Sequence, residues 1–339
     1  MEYDKEDHTW RRRSSATLKQ TTCQPMPKRS HTVAVIVLGL AVLSCLLGYC
    51  VLSETLPYES KTLRLVIVLF RHGARTPISS YKSDPFKNYQ WPDGLGSLTN
   101  AGKLQLYELG KKYRNYYANF IPEEYYEKDV YVMSSDKSRC LMNAYTFLAG
   151  LFPPSDRQTW HPELPWQPIP VHSLPKDLDD IVAQTKPCKV WKSMYEELLE
   201  EANSDPKFAE LFDYLSKHTN QSPFLNEIKM NLQDSVSHTN LDRSLYIYSG
   251  HDVTVVGLWR TLGYSELLEP EYGASLVLEL HEEVEQDTFF VKLFYRNNTK
   301  VEVPMELNMP FCDDPCTYNR FIQHIETLIP NNWEEECQN

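Results

Sequence analysis

Apolar positions follow two rhythms along the chain, and the switch between them marks out its elements. Runs of strand length stand at "TLRLVIVLF" (62–70), "DVYVMSS" (129–135), "SLYIYSG" (244–250), "GASLVLELH" (273–281) and "FFVKLFYRN" (289–297). Elsewhere apolar residues recur every three or four positions. "LTNAGKLQLYELGKKYRNYY" predicts a helix with Thr99 as its N-cap. "DKSRCLMNAYTFLAGLF" predicts a second, with Leu141, Ala144, Tyr145 and Leu148 on one face and a stop at Pro153 and Pro154. The proline-dense stretch from Pro153 to Pro175 reads as surface loops around one extended piece. Helical stretches at 190–202 and 206–217 follow as a satellite layer, and a further helix begins after Asp252. Strand alternating with helix, without an internal repeat, predicts an α/β fold.

One apolar run is too long for a strand. Val33 to Leu52 is twenty residues without a formal charge, about the length that crosses a bilayer. Lys5, Arg11, Arg12, Arg13, Lys19, Lys28 and Arg29 precede it, and Glu54 and Glu59 follow. The positive-inside rule then gives a cytosolic tail (1–32), a single-pass type II signal anchor (33–52) and an extracellular or lumenal domain (53–339). A cleaved secretory signal is the alternative, and it leads to the same compartment with the protein secreted. The 339 residues, 42% hydrophobic, suffice for a sizeable core. The chain carries a net charge of −12, of which residues 1–32 hold +3 and the remainder −15, so no broad basic field points to nucleic acid.

Five of the eight cysteines, Cys140, Cys188, Cys312, Cys316 and Cys337, lie beyond the apolar run, which agrees with an oxidising compartment. Their odd number leaves one unpaired. "FCDDPCTY" reads as a small disulfide loop; a metal site is the alternative, but no second ligand pair stands at a matching spacing. Asn297 in "NNT" and Asn220 in "NQS" are glycosylation sequons, the latter weakened by Pro223.

In an open α/β sheet, ligands bind beyond the carboxyl ends of the strands. Three such ends carry chemistry: Arg71, His72 and Arg75 after the first strand; Ser135, Asp136 and Arg139 after the second; Gly250, His251 and Asp252 after a later one. Should these strands be neighbours, three guanidiniums and two imidazoles converge on a volume suited to phosphate. The guanidinium fork matches phosphoryl oxygens and stays charged. Surrounding cations keep His72 neutral and nucleophilic, and Asp252 is the candidate acid for the leaving oxygen, which implies an acidic optimum. The same arginines pull Asp252 toward its ionised form, and a bound phosphate dianion has to offset that pull. Singly, "RHG", "HD" and Arg139 are unremarkable; it is their common place at strand ends that makes a site. Tyr116, Tyr117, Tyr125 and Tyr126 read as a half-buried helix face more simply than as a stacking platform.

The ordered set "RHGARTP", "WPDGLGSLTNAG", "SSDKSRCLMNA", "SGHD" and "CDDPC" resembles the histidine acid phosphatases, of the prostatic, lysosomal and invertebrate venom types, from Lys61 to Cys337. The resemblance implies a phosphoglycerate mutase-like core: a mixed, mostly parallel sheet with helices on both faces, plus a helical cap. It implies a metal-independent phosphomonoesterase without cofactor. His72 would be the phosphorylated nucleophile, Arg71, Arg75, Arg139 and His251 the phosphoryl-binding set, and Asp252 the proton donor. It also implies Cys188–Cys337 and Cys312–Cys316 bridges, a reduced Cys140 and, in many members, a homodimer. The cap segment, about 176–240, is several dozen residues shorter than the family pattern, which suggests a splice form or incomplete gene product. Two other readings follow: an impaired, membrane-tethered anion-binding pseudoenzyme, and a phytase- or lysophospholipid-type phosphatase.

Overall fold

The structure is a computed structural model that describes residues 61–190, 192–193, 222–237, 239 and 243–337. The proposed tail and anchor (1–52), Asn220 and nearly all of the two helical stretches between 190 and 217 lie outside the described residues. Among the described residues no helix is long and apolar enough to cross a membrane.

Among the described residues the sheet has seven strands. Strand β1 (Leu63–Arg71) is central, with β3 (Leu245–Gly250) and then β2 (Val130–Ser134) on one side, both in parallel pairing. On the other side β4 (Ser275–Glu283), β5 (Thr288–Arg296) and β6 (Met305–Leu307) continue in antiparallel pairing, and the short β7 (Cys316–Thr317) also pairs with β5. The α/β class is therefore as the pattern predicts and the mixed sheet as the resemblance implies, with two parallel pairings and four antiparallel ones among the described strands. Its parallel part is the set of strands whose ends carry the candidate residues.

Helices cover both faces, which is why β1 and β3 read as unbroken apolar runs. Alternate residues of β1 enter different cores. Leu65, Ile67 and Leu69 pack with Phe224 and Ile228 of α3 (Ser222–Val236), Val255 of α4 (Asp252–Thr261) and Phe321 of α5 (Tyr318–Glu326). Val66, Val68 and Phe70 pack with Leu106 and Tyr113 of α1 (Asn100–Tyr116) and Phe147 of α2 (Ser138–Leu151). Burying each such side chain stabilises the fold by about 1.5–3 kcal/mol. The two helices on the second face cross closely at Gly110, where a Cβ would fall 2.0 Å from the Phe147 carbonyl oxygen.

Helix α1 starts where its cap predicts: Thr99 Oγ1 accepts from Gly102 N at 3.1 Å and donates to Ala74 O at 2.9 Å. The cap thus also ties the helix to the turn after β1. Tyr117 follows the last turn, fully buried, and its hydroxyl donates to Glu279 at 2.6 Å. A short C-terminal helix, α6 (Trp333–Glu336), leads to Cys337. Cys188 is bonded to Cys337 and Cys312 to Cys316, while Cys140 is buried and unpaired. The second bridge occupies both thiols of "FCDDPC", so that pair holds no metal.

Candidate active site

The three parallel strands end side by side. Arg71 closes β1 opposite Gly250 of β3, and Ser134 closes β2 opposite Ser249. The ladder runs one residue further, with His72 N donating to Gly250 O and Ser135 N to Ser249 O, each at 3.2 Å. His72, His251 and Ser135 are thereby aligned along one sheet edge. The start of β4 closes the fourth side, where Arg71 N donates to Ala274 O at 2.8 Å and Gly273 N to His72 O at 3.3 Å.

His72 is 1% exposed. Its Nδ1 lies 3.0 Å from Gly73 O; a carbonyl only accepts, so Nδ1 carries the proton and Nε2 keeps its lone pair. The ring meets His251 edge-on at 5.7 Å between centroids and lies 5.9 Å from Tyr272. Burial, reinforced by Arg139, Arg71 and Arg75, lowers its pKa to about 4.

His251 carries the opposite tautomer. Arg139 Nη2 stands 3.5 Å from its Nδ1, and a guanidinium only donates, so Nδ1 accepts and Nε2–H donates to Ser135 Oγ at 2.9 Å. Burial first, then Arg139, lowers its pKa to about 3. The Cys140 thiol sits 3.7 Å from the same Nε2, and burial raises its pKa to about 11, so it is an inert neighbour.

Arg71 is held on three sides. Nη2 pairs with Asp252 at 2.9 Å, Nη1 donates to Pro270 O at 2.5 Å, and the guanidinium lies 4.4 Å above the Tyr272 ring. Arg75 Nη1 donates to Thr76 O at 3.0 Å. The Nε atoms of Arg71, Arg75 and Arg139 are all buried without a hydrogen-bond partner, a cost that a polyvalent anion could relieve. Asp252 opens α4 and accepts from Val253 N at 2.9 Å. Burial alone would raise its pKa, but the Arg71 guanidinium and that backbone N–H hold it below the usual carboxylate value.

The model of the histidine phosphatase superfamily (branch 2) matches residues 62–221 and 216–296, two pieces that meet at 216–221. The chain belongs to this family. Rat (Rattus norvegicus) lysosomal acid phosphatase is 29% identical over 367 aligned positions, covering 88% of this chain and 85% of that protein. Bovine (Bos taurus) prostatic acid phosphatase is 31% identical over 346, covering 82% of this chain and 88% of that protein. Among solved structures, Citrobacter braakii phytase shares the histidine phosphatase fold with a TM-score of 0.55 at 16% identity, over 81% of this chain and 99% of that one. Hafnia alvei phytase in complex with myo-inositol hexakis sulphate gives 0.54 at 15% identity, over 82% and 98%.

All six histidine phosphatase candidates named from sequence, Arg71, His72, Arg75, Arg139, His251 and Asp252, stand at this edge. Three further contributors were given no role: Ser135, named only for its place at a strand end, and Tyr272 and Pro270, not named at all. The Ser135 hydroxyl accepts from His251 Nε2–H in the tautomer that Arg139 sets. Tyr272 and Pro270 cradle Arg71 from the loop before β4, for which the sequence carried no signal. Asn297 is half-buried at the end of the next strand, its Nδ2 donating to Glu271 at 3.1 Å.

Proposed function

We propose that this chain is an acid phosphatase that hydrolyses phosphomonoesters through a phosphohistidine on His72, without a metal. The observation that carries the reading is the His72 tautomer: Nδ1–H is committed to Gly73 O, so a neutral Nε2 lies ready within reach of three fixed cations. The Nε2 lone pair attacks phosphorus, the ester P–O bond breaks, and the departing oxygen takes a proton from Asp252. Water then attacks phosphorus, the P–N bond breaks, and the water proton returns to the Asp252 carboxylate. Arg71, Arg75, Arg139 and His251 bind the phosphoryl oxygens and the charge that builds on them.

Asp252 must be protonated for the first step, yet Arg71 holds it ionised. An incoming phosphate dianion competes for that guanidinium and lifts the carboxyl pKa, so protonation accompanies substrate binding, with the balance favouring acidic pH. Rapid quenching after mixing with labelled 4-nitrophenyl phosphate is expected to trap a base-stable, acid-labile protein phosphate. His72→Ala, folded by circular dichroism, is expected to give no label and no turnover. Anion binding by the wild type without label would replace this reading with that of a binding protein. The two-piece family match and an alignment longer than the chain itself are consistent with a shortened cap, the feature that favours that second reading. Two disulfides and the acid phosphatase relatives support a lumenal or extracellular domain; the charge-free apolar run at 33–52 is what would anchor it.

A further inference from the structure

Beside the phosphate clamp lies a cavity of about 420 Å³ that shares Arg139 with it. The loop on its far wall is knit to the clamp: the Arg75 backbone bridges Leu98, and Thr76 N donates to Ser97 O at 2.9 Å. Arg139 lines this cavity and its Nη2 also lies 3.5 Å from His251 Nδ1, so one guanidinium faces both cavity and clamp. A group attached to a phosphoryl held by Arg139 therefore has this space to occupy.

The lining has a definite chemistry. Ile78, Leu95 and Met142 supply apolar wall, and Lys103 and Lys137 supply charge, opposed by the carboxylate of Asp93. Lys103 Nζ donates to the neutral Asn100 side chain at 3.1 Å, and among the described residues neither lysine has a carboxylate partner. Lys137 is close enough to the clamp to act electrostatically on His251. The first turn of α2 opens here through Ser138, without an acidic residue. Lys103, Lys137 and Arg139 outnumber the single Asp93 carboxylate, and such an excess of cations over an apolar wall fits an amphiphilic anion better than a neutral alcohol.

We infer that this cavity is a leaving-group subsite in which Lys103 and Lys137 select phosphomonoesters whose leaving group carries a second anion, a carboxylate or a further phosphoryl, on an apolar body. The inference rests on the phosphatase reading and adds the substrate class.

Phenyl phosphate and 4-carboxyphenyl phosphate differ by one distal anion. For the full chain near pH 5 and at low ionic strength, kcat/KM is expected to be about tenfold higher for the carboxylated ester, carried in KM and shrinking as salt is added. Lys103→Met and Lys137→Met keep the aliphatic stems, and each is expected to cut that preference about fivefold; Asp93→Asn is expected to enlarge it. A bisphosphate, 1,4-phenylene bisphosphate, should show the same dependence on both lysines if any distal anion serves. Equal kcat/KM for the two monophosphates, or a preference that survives in both lysine variants, overturns the subsite while the phosphatase reading stands. Hydrolysis of neither ester overturns the phosphatase reading instead. The subsite is then read by calorimetry on His72→Ala, where tighter binding of the carboxylated ester supports it and equal affinity overturns it.

Discussion

A neutral imidazole among arginines is chemically poised but acidic conditions bear on it from two directions. With a pKa near 4, His72 stays an available nucleophile well below the pH at which a free imidazole charges. Asp252 needs the reverse, since its role requires a proton that Arg71 discourages. The two requirements meet only in mild acid, and they are separable by the leaving group. Asp252→Asn is expected to slow alkyl phosphates by about 10²–10⁴-fold while 4-nitrophenyl phosphate, whose phenolate departs without a proton, loses far less. Pre-steady-state rates on the two substrates check this, and equal losses would remove Asp252 from the proton-donor role. The six residues of the clamp could be read ahead of the structure because each carries its chemistry in its type and stands next to an apolar run. Tyr272 could not, because nothing in a lone tyrosine tells that its ring will lie under a distant arginine.

At the level of elements, the site depends on how closely the turn after β1 meets α1. A Cβ on Gly102 would fall 2.2 Å from Ala74 O, and one on Gly73 would fall 2.4 Å from Gly102 O, so backbone touches backbone there. Gly102→Ala is expected to destabilise the protein by about 1–3 kcal/mol, seen in urea unfolding, and to push out the turn that carries Arg75. Residual folded variant should then show a raised KM as well. The helix start at Thr99 and the two-sided burial of β1 and β3 were legible, since a cap residue and an unbroken apolar run each have a local cause. Strand direction had none. Alternation cannot tell that β4 runs antiparallel beside β1, and that pairing is what brings the loop of Pro270 and Tyr272 to the clamp. The cavity beside Arg139 was hidden for the same reason, being bounded by segments that only the fold makes adjacent.

For the molecule as a whole, the clamp has a cost in stability that varies with pH. Both buried histidines have folded pKa values, about 4 and about 3, below the ordinary 6.5. As pH falls below 6.5 the unfolded chain therefore takes up protons first, and stability declines until the folded values are passed. At pH 5 each histidine is expected to cost about 2 kcal/mol relative to neutral pH. Thermal unfolding should show a lower Tm at pH 5 than at pH 7, and inorganic phosphate should recover more of it at the lower pH; a flat profile would contradict the buried, neutral state of the two rings. A different consequence follows from the Cys188–Cys337 bond. It ties Cys188 to the C-terminal helix end, and further along the chain Phe224, Leu225 and Ile228 are buried in the core. Both anchorage points hold whatever number of residues is strung between them, and doubling such a span costs only about 0.6 kcal/mol in closure entropy. A change in the number of residues between Cys188 and Phe224 is therefore expected to cost little in chain-closure entropy while both anchorages stay buried or bonded.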